Sequence, residues 1–202
     1  MRYLLSSFLI ALCFSCSSYP KKNGYETVEN TVKQSVNQYF SDHSKDYVYK
    51  ANINVFKNTF GGIFIVKKLG GNHHRVAFTT EMGNKIFDFT FLENEFKVNH
   101  ILKDMDKKIL INILKNDFKV LLTENPTIKS TFLKNETLIY ETDINHKKYF
   151  HFLSDKKLEK VVRVNHGKEK VEFLFSKIND DIAKDIQILH KNFKLEIHLK
   201  AL

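Results

Sequence analysis

Chemistry in this 202-residue chain would have to come from a small set of side chains. The only thiols, Cys13 and Cys16, both stand within the first sixteen residues. The rest of the chain therefore has no thiol nucleophile, no disulfide and no thiolate ligand, which excludes a cysteine protease, a zinc ribbon and a thiol oxidoreductase. His73 and His74 are adjacent, and neighbours on a strand point to opposite faces, so the pair cannot ligate one ion together and reads as turn-exposed. Asp104 and Asp106 fit a helix cap with first-turn charge, and Asp180 and Asp181 fit a polar turn. Glu141 and Asp143 share a strand face beside Lys147 and Lys148, an ordinary solvated surface. No Gly-x-Gly-x-x-Gly, P-loop, His-Glu-x-x-His or Gly-x-Ser-x-Gly occurs. The expectation is a non-enzyme, with no catalytic residue, no metal ligand and no cofactor; a buried His–carboxylate pair in a cleft would revive an enzymatic reading.

The thiols belong to a leader. Arg2 precedes an apolar stretch over 4–14, and the small Ser15 stands before Cys16. A charged start, a short apolar segment and a small-residue cleavage point define a signal peptide over 1–15. Ser15-Cys16 resembles the bacterial lipobox, with Cys13 in place of its usual Leu. That resemblance implies cleavage before Cys16, a diacylglycerol on its sulfur and a third acyl chain on its amine. Such chains, at ~0.8 kcal/mol per buried methylene, would anchor the protein permanently. An ordinary secretory signal or a short transmembrane anchor is the other reading of the same stretch. Residues 16–25 are polar, contain Pro20 and Gly24, and read as a tether. No Asp follows Cys16, and by resemblance to lipoprotein sorting rules this implies the periplasmic face of the outer membrane.

Composition narrows the partners. Lys and Arg number 32 against 23 Asp and Glu, for a net charge of +9, yet the lysines alternate with apolar residues instead of clustering. That is how a solvated sheet face reads, and no nucleic-acid partner is expected. Beyond the leader no apolar run reaches the ~18 residues of a membrane helix.

The elements that would position any site follow from periodicity. Val28, Val32, Val36, Tyr39 and Phe40 form a helical stripe over 26–40. From Tyr47 the period becomes two, and glycine pairs punctuate strands near 52–55, 63–66, 76–80, 87–91 and 96–100. Asp104 caps a second predicted helix, whose stripe runs through Leu110, Leu114, Phe118 and Leu121 until Pro126. Strands resume over 137–142, 147–153, 157–164, 170–176, 185–190 and 193–200, with Phe150 and Phe152 read as inward positions. The sum is an α+β domain over 26–202: one large curved antiparallel sheet, a half-open β-barrel of about 10–11 strands, with the N-terminal and central helices over its concave face.

This order of elements resembles the LolA/LolB superfamily of periplasmic lipoprotein carriers and receptors, over roughly residues 48–200. Gly61-Gly62 and the run from Arg75 through Met82-Gly83 to Phe89 resemble its strand–loop–strand; the helix near 104–122 resembles its central lid; the run from Ile186 to Ile197 resembles its closing hairpin. The resemblance implies an apolar cavity walled by Phe78, Phe87, Phe89, Phe150, Phe173 and Ile197. In the family the loop tip is an exposed Leu that helps insert the delivered lipoprotein; the matching residue is Met82, with Glu81 where the family has Pro. The implied function is that of a monomeric outer-membrane lipoprotein that receives acyl chains or acylated lipoproteins from a periplasmic carrier and delivers them to the bilayer, without covalent chemistry. From the residues alone two alternatives stay open. The 18 phenylalanines fit a cavity wall or a solid core against the helices, and Met82 fits an exposed tip or a tucked one. A solid core would make the chain a structural or partner-binding lipoprotein.

Overall fold

The computed structural model describes residues 18–29, 36–93 and 95–202. Thirteen strands form one antiparallel sheet: β1 (Glu26–Val28), β2 (Asp46–Val55), β3 (Asn58–Gly70), β4 (His73–Thr79), β5 (Lys85–Leu92), β6 (Glu95–Ile101), β7 (Thr127–Lys134), β8 (Thr137–Ile144), β9 (Lys147–Ser154), β10 (Lys157–Asn165), β11 (Lys168–Asn179), β12 (Ile182–His190) and β13 (Leu195–Ala201). Their spatial order is β1-β7-β8-β9-β10-β11-β12-β13-β2-β3-β4-β5-β6. The sheet is not closed, and β1 and β6 are its edges. Two meanders, β2–β6 and β7–β13, meet at one seam, where β13 pairs with β2 from Leu195↔Val55 to Ala201↔Tyr49. Among the described residues two helices accompany the sheet. α1 (Tyr19–Lys22) is one turn with Pro20 in its first positions; α2 (Lys108–Leu122) joins the meanders after a 3₁₀ turn at Lys103–Met105.

The strands form where alternation is strict. In β13, Leu195, Ile197 and Leu199 are fully buried while Glu196 and Lys200 face out. Tight turns join the strands of the second meander. Asn145–His146 and Asp155–Lys156 all have positive φ, between 47° and 63°, the geometry that matches the twist of a two-residue hairpin. Asn and Asp tolerate that region; the lysine pays a small steric cost for it.

The faces are unequal. The inner face carries α2 and the main core, where the cross-strand row Phe87–Phe78–Phe64–Tyr49 runs beneath Phe118. A second row runs Tyr140–His151–Val161–Phe173–Ile188–Ile197–Ile53. The outer face carries a smaller cluster of Phe132, Ile139, Phe150, Phe152, Val162 and Val164, capped by Tyr19 with Tyr25 against it.

Four expectations are corrected here. The sheet has thirteen strands because β1 and β7 add to the eleven expected. The N-terminal helix over 26–40 is absent at its described positions. Glu26–Val28 pairs with β7, and Val36–Phe40 is irregular, held by Val36 N–H and Asn37 N–H to Glu124 O and by Tyr39 Oη to Leu158 O at 2.7 Å. Val and Thr are weak helix formers, and these long-range bonds override the stripe. The described part of the tether is packed: Tyr19 is buried, its ring lies 4.8 Å from that of Phe150, and its hydroxyl donates to Glu169 at 2.7 Å. Finally, Phe150 and Phe152 point outward, and Tyr149, His151 and Leu153 supply the inner face of β9.

Candidate functional site

The inner phenylalanine floor is built by β3, β4 and β5 and closed by α2. Phe78, Phe87 and Phe89 are completely buried, with Phe87 stacked on Phe89 at 4.6 Å and 7°. Phe118 of α2 drops between them, 5.3 Å from Phe64, 5.7 Å from Phe87 and 6.4 Å from Phe89. Phe173 and Ile197 lie in the second inner row, also buried. Five of the six predicted wall residues thus share the inner face. Phe150 is the exception, on the outer face, because β9 is apolar on both sides and its alternation does not identify the inner one. The floor is filled by α2. Surface grooves of about 930, 580 and 330 Å³ open elsewhere, and none of the six residues lines them.

The loop over 80–84 presents Met82 at 92% exposure, the most exposed large apolar side chain among the described residues. Thr80 N–H donates to Asn84 O at 2.8 Å and Gly83 N–H to Thr80 O at 2.9 Å, so the tip is a tight turn. Glu81 pairs with Lys50 at 3.0 Å. Gly62 makes the close approach beneath this loop possible: a Cβ there would stand 1.9 Å from Thr79 O. Cys16 lies outside the described residues.

α2 is tied to the sheet by one buried polar pair. His190 Nε2 stands 2.8 Å from Asp117 Oδ2, with both side chains 3% exposed. Burial pushes the Asp117 carboxyl up, and the bond from His190 opposes that. The pair bridges α2 and β12, and His190 also lines a groove of about 580 Å³. Sequence reasoning missed it. The available signal was Asp117 itself, a carboxylate three residues beyond Leu114 on an otherwise apolar stripe.

The inner face also holds polar atoms with no partner among the described residues. Thr131 Oγ1, Thr142 Oγ1, both ring nitrogens of His151 and Arg163 Nε are buried and unbonded. All five fall on two adjacent cross-strand rows, Thr131–Tyr140–His151 and Thr142–Tyr149–Arg163. Burial lowers the His151 pKa to about 3, so its ring is neutral in the folded chain.

The remaining candidates lie in the core, in turns or in ion pairs. His73 and His74 point to opposite faces of β4, but His74 is buried on the inner face and not turn-exposed; burial lowers its pKa to about 4. Asp104 lies in the 3₁₀ turn and does not cap α2, which begins after Lys107 with no side-chain cap. Glu141 is paired with Lys148, and Asp143 Oδ1 accepts from the N–H of His146 at 3.0 Å. Among the described residues no three His, Cys, Asp or Glu side chains gather as metal ligands, and no helix is long and apolar enough to cross a membrane.

No protein-family model matches the sequence, and no curated protein matches it. Among solved structures, the chain is similar to a candidate outer membrane lipoprotein-sorting protein domain from Vibrio parahaemolyticus. Identity is 9% and the TM-score 0.41, over 77% of this chain and 83% of that one. It is also similar to a DUF1329 family protein from Desulfovibrio piger, at 8% identity and a TM-score of 0.44, over 78% and 83% of the two chains.

Proposed function

We propose that this chain is a non-catalytic lipoprotein, anchored through Cys16 to the periplasmic face of the outer membrane. In this reading it takes acyl chains, or the acylated end of a lipoprotein handed over by a soluble carrier, between α2 and the inner phenylalanine floor. It then releases them to the bilayer beside Met82. The observation that carries the reading is the seat of α2: an amphipathic helix covers an extended aromatic floor, with Leu110, Leu114, Phe118 and Leu121 as its buried stripe. Lifting it would exchange apolar helix contacts for apolar acyl contacts, an exchange near balance, with affinity set by the apolar area covered. The reaction needs no bond making, and the cargo moves toward whichever environment covers its chains better.

A second reading is favoured by how completely Phe118 fills that floor. A floor that never opens makes the chain a structural or partner-binding lipoprotein on the same sheet. Titration of a tri-acylated fluorescent lipopeptide against the chain from residue 16, carrying Cys16→Ala, separates the two. That segment contains every described element. Saturable binding, with transfer to vesicles slowed by Met82→Glu while binding itself is unchanged, supports carriage with exit at the loop. Absence of binding by a folded protein supports the structural reading.

A further inference from the structure

In an antiparallel sheet the hairpin turns fall alternately at its two ends, so the strand order sorts them. The β10–β11, β12–β13, β2–β3 and β4–β5 turns lie at one end, and the β9–β10, β11–β12, β3–β4 and β5–β6 turns at the other. Their charges are opposite. The first four hold Lys57, Lys191 and Lys194 against Glu81; the other four hold Glu93, Asp155, Asp180 and Asp181 against Lys156. The connection from β6 to α2 joins the basic end, with Lys103 and Lys107 beside Asp104 and Asp106.

The basic end also has an aromatic tip. Phe56, in the two-residue turn between β2 and β3, is 43% exposed and has a φ of 56°. A bulky side chain is strained there, where Gly or Asn would sit at ease, so the turn keeps an exposed ring at a cost in stability. The Phe56 ring stands edge-on to Phe193 at 5.0 Å, Lys107 Nζ lies 5.0 Å from its centroid, and Phe56 N–H donates to Lys194 O at 2.9 Å. Ile109, two residues beyond Lys107, is exposed as well. Lys57, Lys107 and Lys194 are exposed and form no ion pair among the described residues; Lys191 is held by Glu172. The groove of about 580 Å³ beside the two rings has one carboxylate, Glu196. Exposed apolar side chains ringed by unpaired lysines match a layer that is apolar beneath and anionic at its surface.

We propose that this end of the sheet docks on the anionic surface of a bilayer, with Phe56 at headgroup depth and Lys57, Lys107 and Lys194 against lipid phosphates. The choice of a bilayer rests on the lipid-anchored reading above. Ser18 shares a groove with His166 and Gly167 of the β10–β11 turn, at this same end, and stands two residues after Cys16, a span of at most about 7 Å. From that turn to the β2–β3 turn is four strand spacings, about 19 Å along the sheet, so the anchor and Phe56 can meet one leaflet together. The β4–β5 loop lies two spacings further along the same end, and docking through Phe56 therefore turns Met82 toward the bilayer.

The test is co-sedimentation of the chain from residue 16, carrying Cys16→Ala, with phosphatidylcholine vesicles with or without a third of phosphatidylglycerol. This parent chain is expected to pellet with the anionic vesicles and not with phosphatidylcholine alone. At about fivefold per cation, Lys57→Gln/Lys194→Gln is expected to lose about twenty-fivefold in binding, and the charge-matched control Lys97→Gln/Lys156→Gln less than about threefold. Phe56→Asn is expected to lose about fivefold, from the exposed part of the ring, with an undiminished urea midpoint because Asn tolerates the positive φ. Circular dichroism verifies the fold of every variant; if the double variant unfolds, Lys57→Gln alone carries the test, with a loss of about fivefold expected. Equal losses in the two double variants, or full binding by Phe56→Asn, overturn the site. Pelleting that is the same with both vesicle types, or absent with both, overturns the anionic leaflet as its partner. Lipopeptide capture in vesicle-free solution is expected unchanged in all these variants, so failure here and failure of the acyl-binding reading appear in different assays.

Discussion

His151 should make this protein acid-labile, and its replacement by leucine should remove part of that lability. The ring is completely buried in β9, neither nitrogen has a partner among the described residues, and its pKa falls from the ordinary 6.5 to about 3. Between those values the unfolded chain binds a proton at this site and the folded chain does not. The contribution is therefore intact above pH 6.5 and is lost as pH falls toward 3. At about 1.4 kcal/mol per pH unit, 3.5 units correspond to a loss of about 5 kcal/mol, of which about 2 kcal/mol is already gone at pH 5. His151→Leu abolishes this proton uptake, so its stability should decline more gently between pH 6 and 4, by about 1.4 kcal/mol per unit. At pH 7.5 the leucine should also stabilise the fold by about 1–3 kcal/mol, because two unbonded buried nitrogens are replaced by hydrocarbon. Urea unfolding followed by far-ultraviolet circular dichroism at pH 7.5, 6, 5 and 4 reads both effects. Equal slopes for the two proteins would refute the reasoning, since they would mean that the folded chain protonates His151 as readily as the unfolded one.

Two other substitutions probe the parts of the fold on which the proposed function depends. Phe118→Ala should cost about 3–5 kcal/mol in urea unfolding, because its ring fills the space between Phe64, Phe87 and Phe89; the same variant should bind a small apolar probe such as benzene more tightly than the wild type does. Gly62→Ala should destabilise by at least about 2 kcal/mol and shift amide resonances in the 80–84 loop, since the added methyl meets a backbone carbonyl and not a movable side chain.

How far the sequence could be read depended on how many faces each segment buries. β13 was legible because one side of it is Leu, Ile and Leu and the other Glu, His and Lys. α2 was legible because its stripe is long, although its start was misplaced: Asp104 is a good cap by type, but the chain makes a 3₁₀ turn there first. β9 was legible as a strand but not in orientation, since Tyr149, Phe150, His151, Phe152 and Leu153 are all buried and period two vanishes when both faces are covered. β7 was hidden by its polar Lys129 and Ser130 and by a turn at Asn135–Glu136 that contains neither Gly nor Pro. The N-terminal stretch was misread because spacing alone was weighed, without the β-branched residues that carry it or the edge of β7 that receives it. Of the candidate site, the inner positions on β4, β5, β11 and β13 were recoverable from alternation. The groove of about 930 Å³ beside α1 was not, because it gathers α1 with the ends of strands more than a hundred residues later, and no local pattern encodes that juxtaposition.

The seam between β13 and β2 sets a timetable for folding. During synthesis β2–β6 emerge first and can pair as a local meander, and β7–β12 follow with their own hairpins. Neither half can meet the other until β13, residues 195–201, is available to lie against β2, whose partner residues precede it by about 140–150 positions. Until then the β2 edge, complete at Val55, stays unpaired, and from β7 onward a second open meander joins it as a template for misassociation. A protein built this way gains by staying extended until its last strand has been delivered, which is also the form in which a chain is threaded through a membrane. Loss of β13 would sever the joint between two otherwise intact meanders, a heavier penalty than removal of either edge strand.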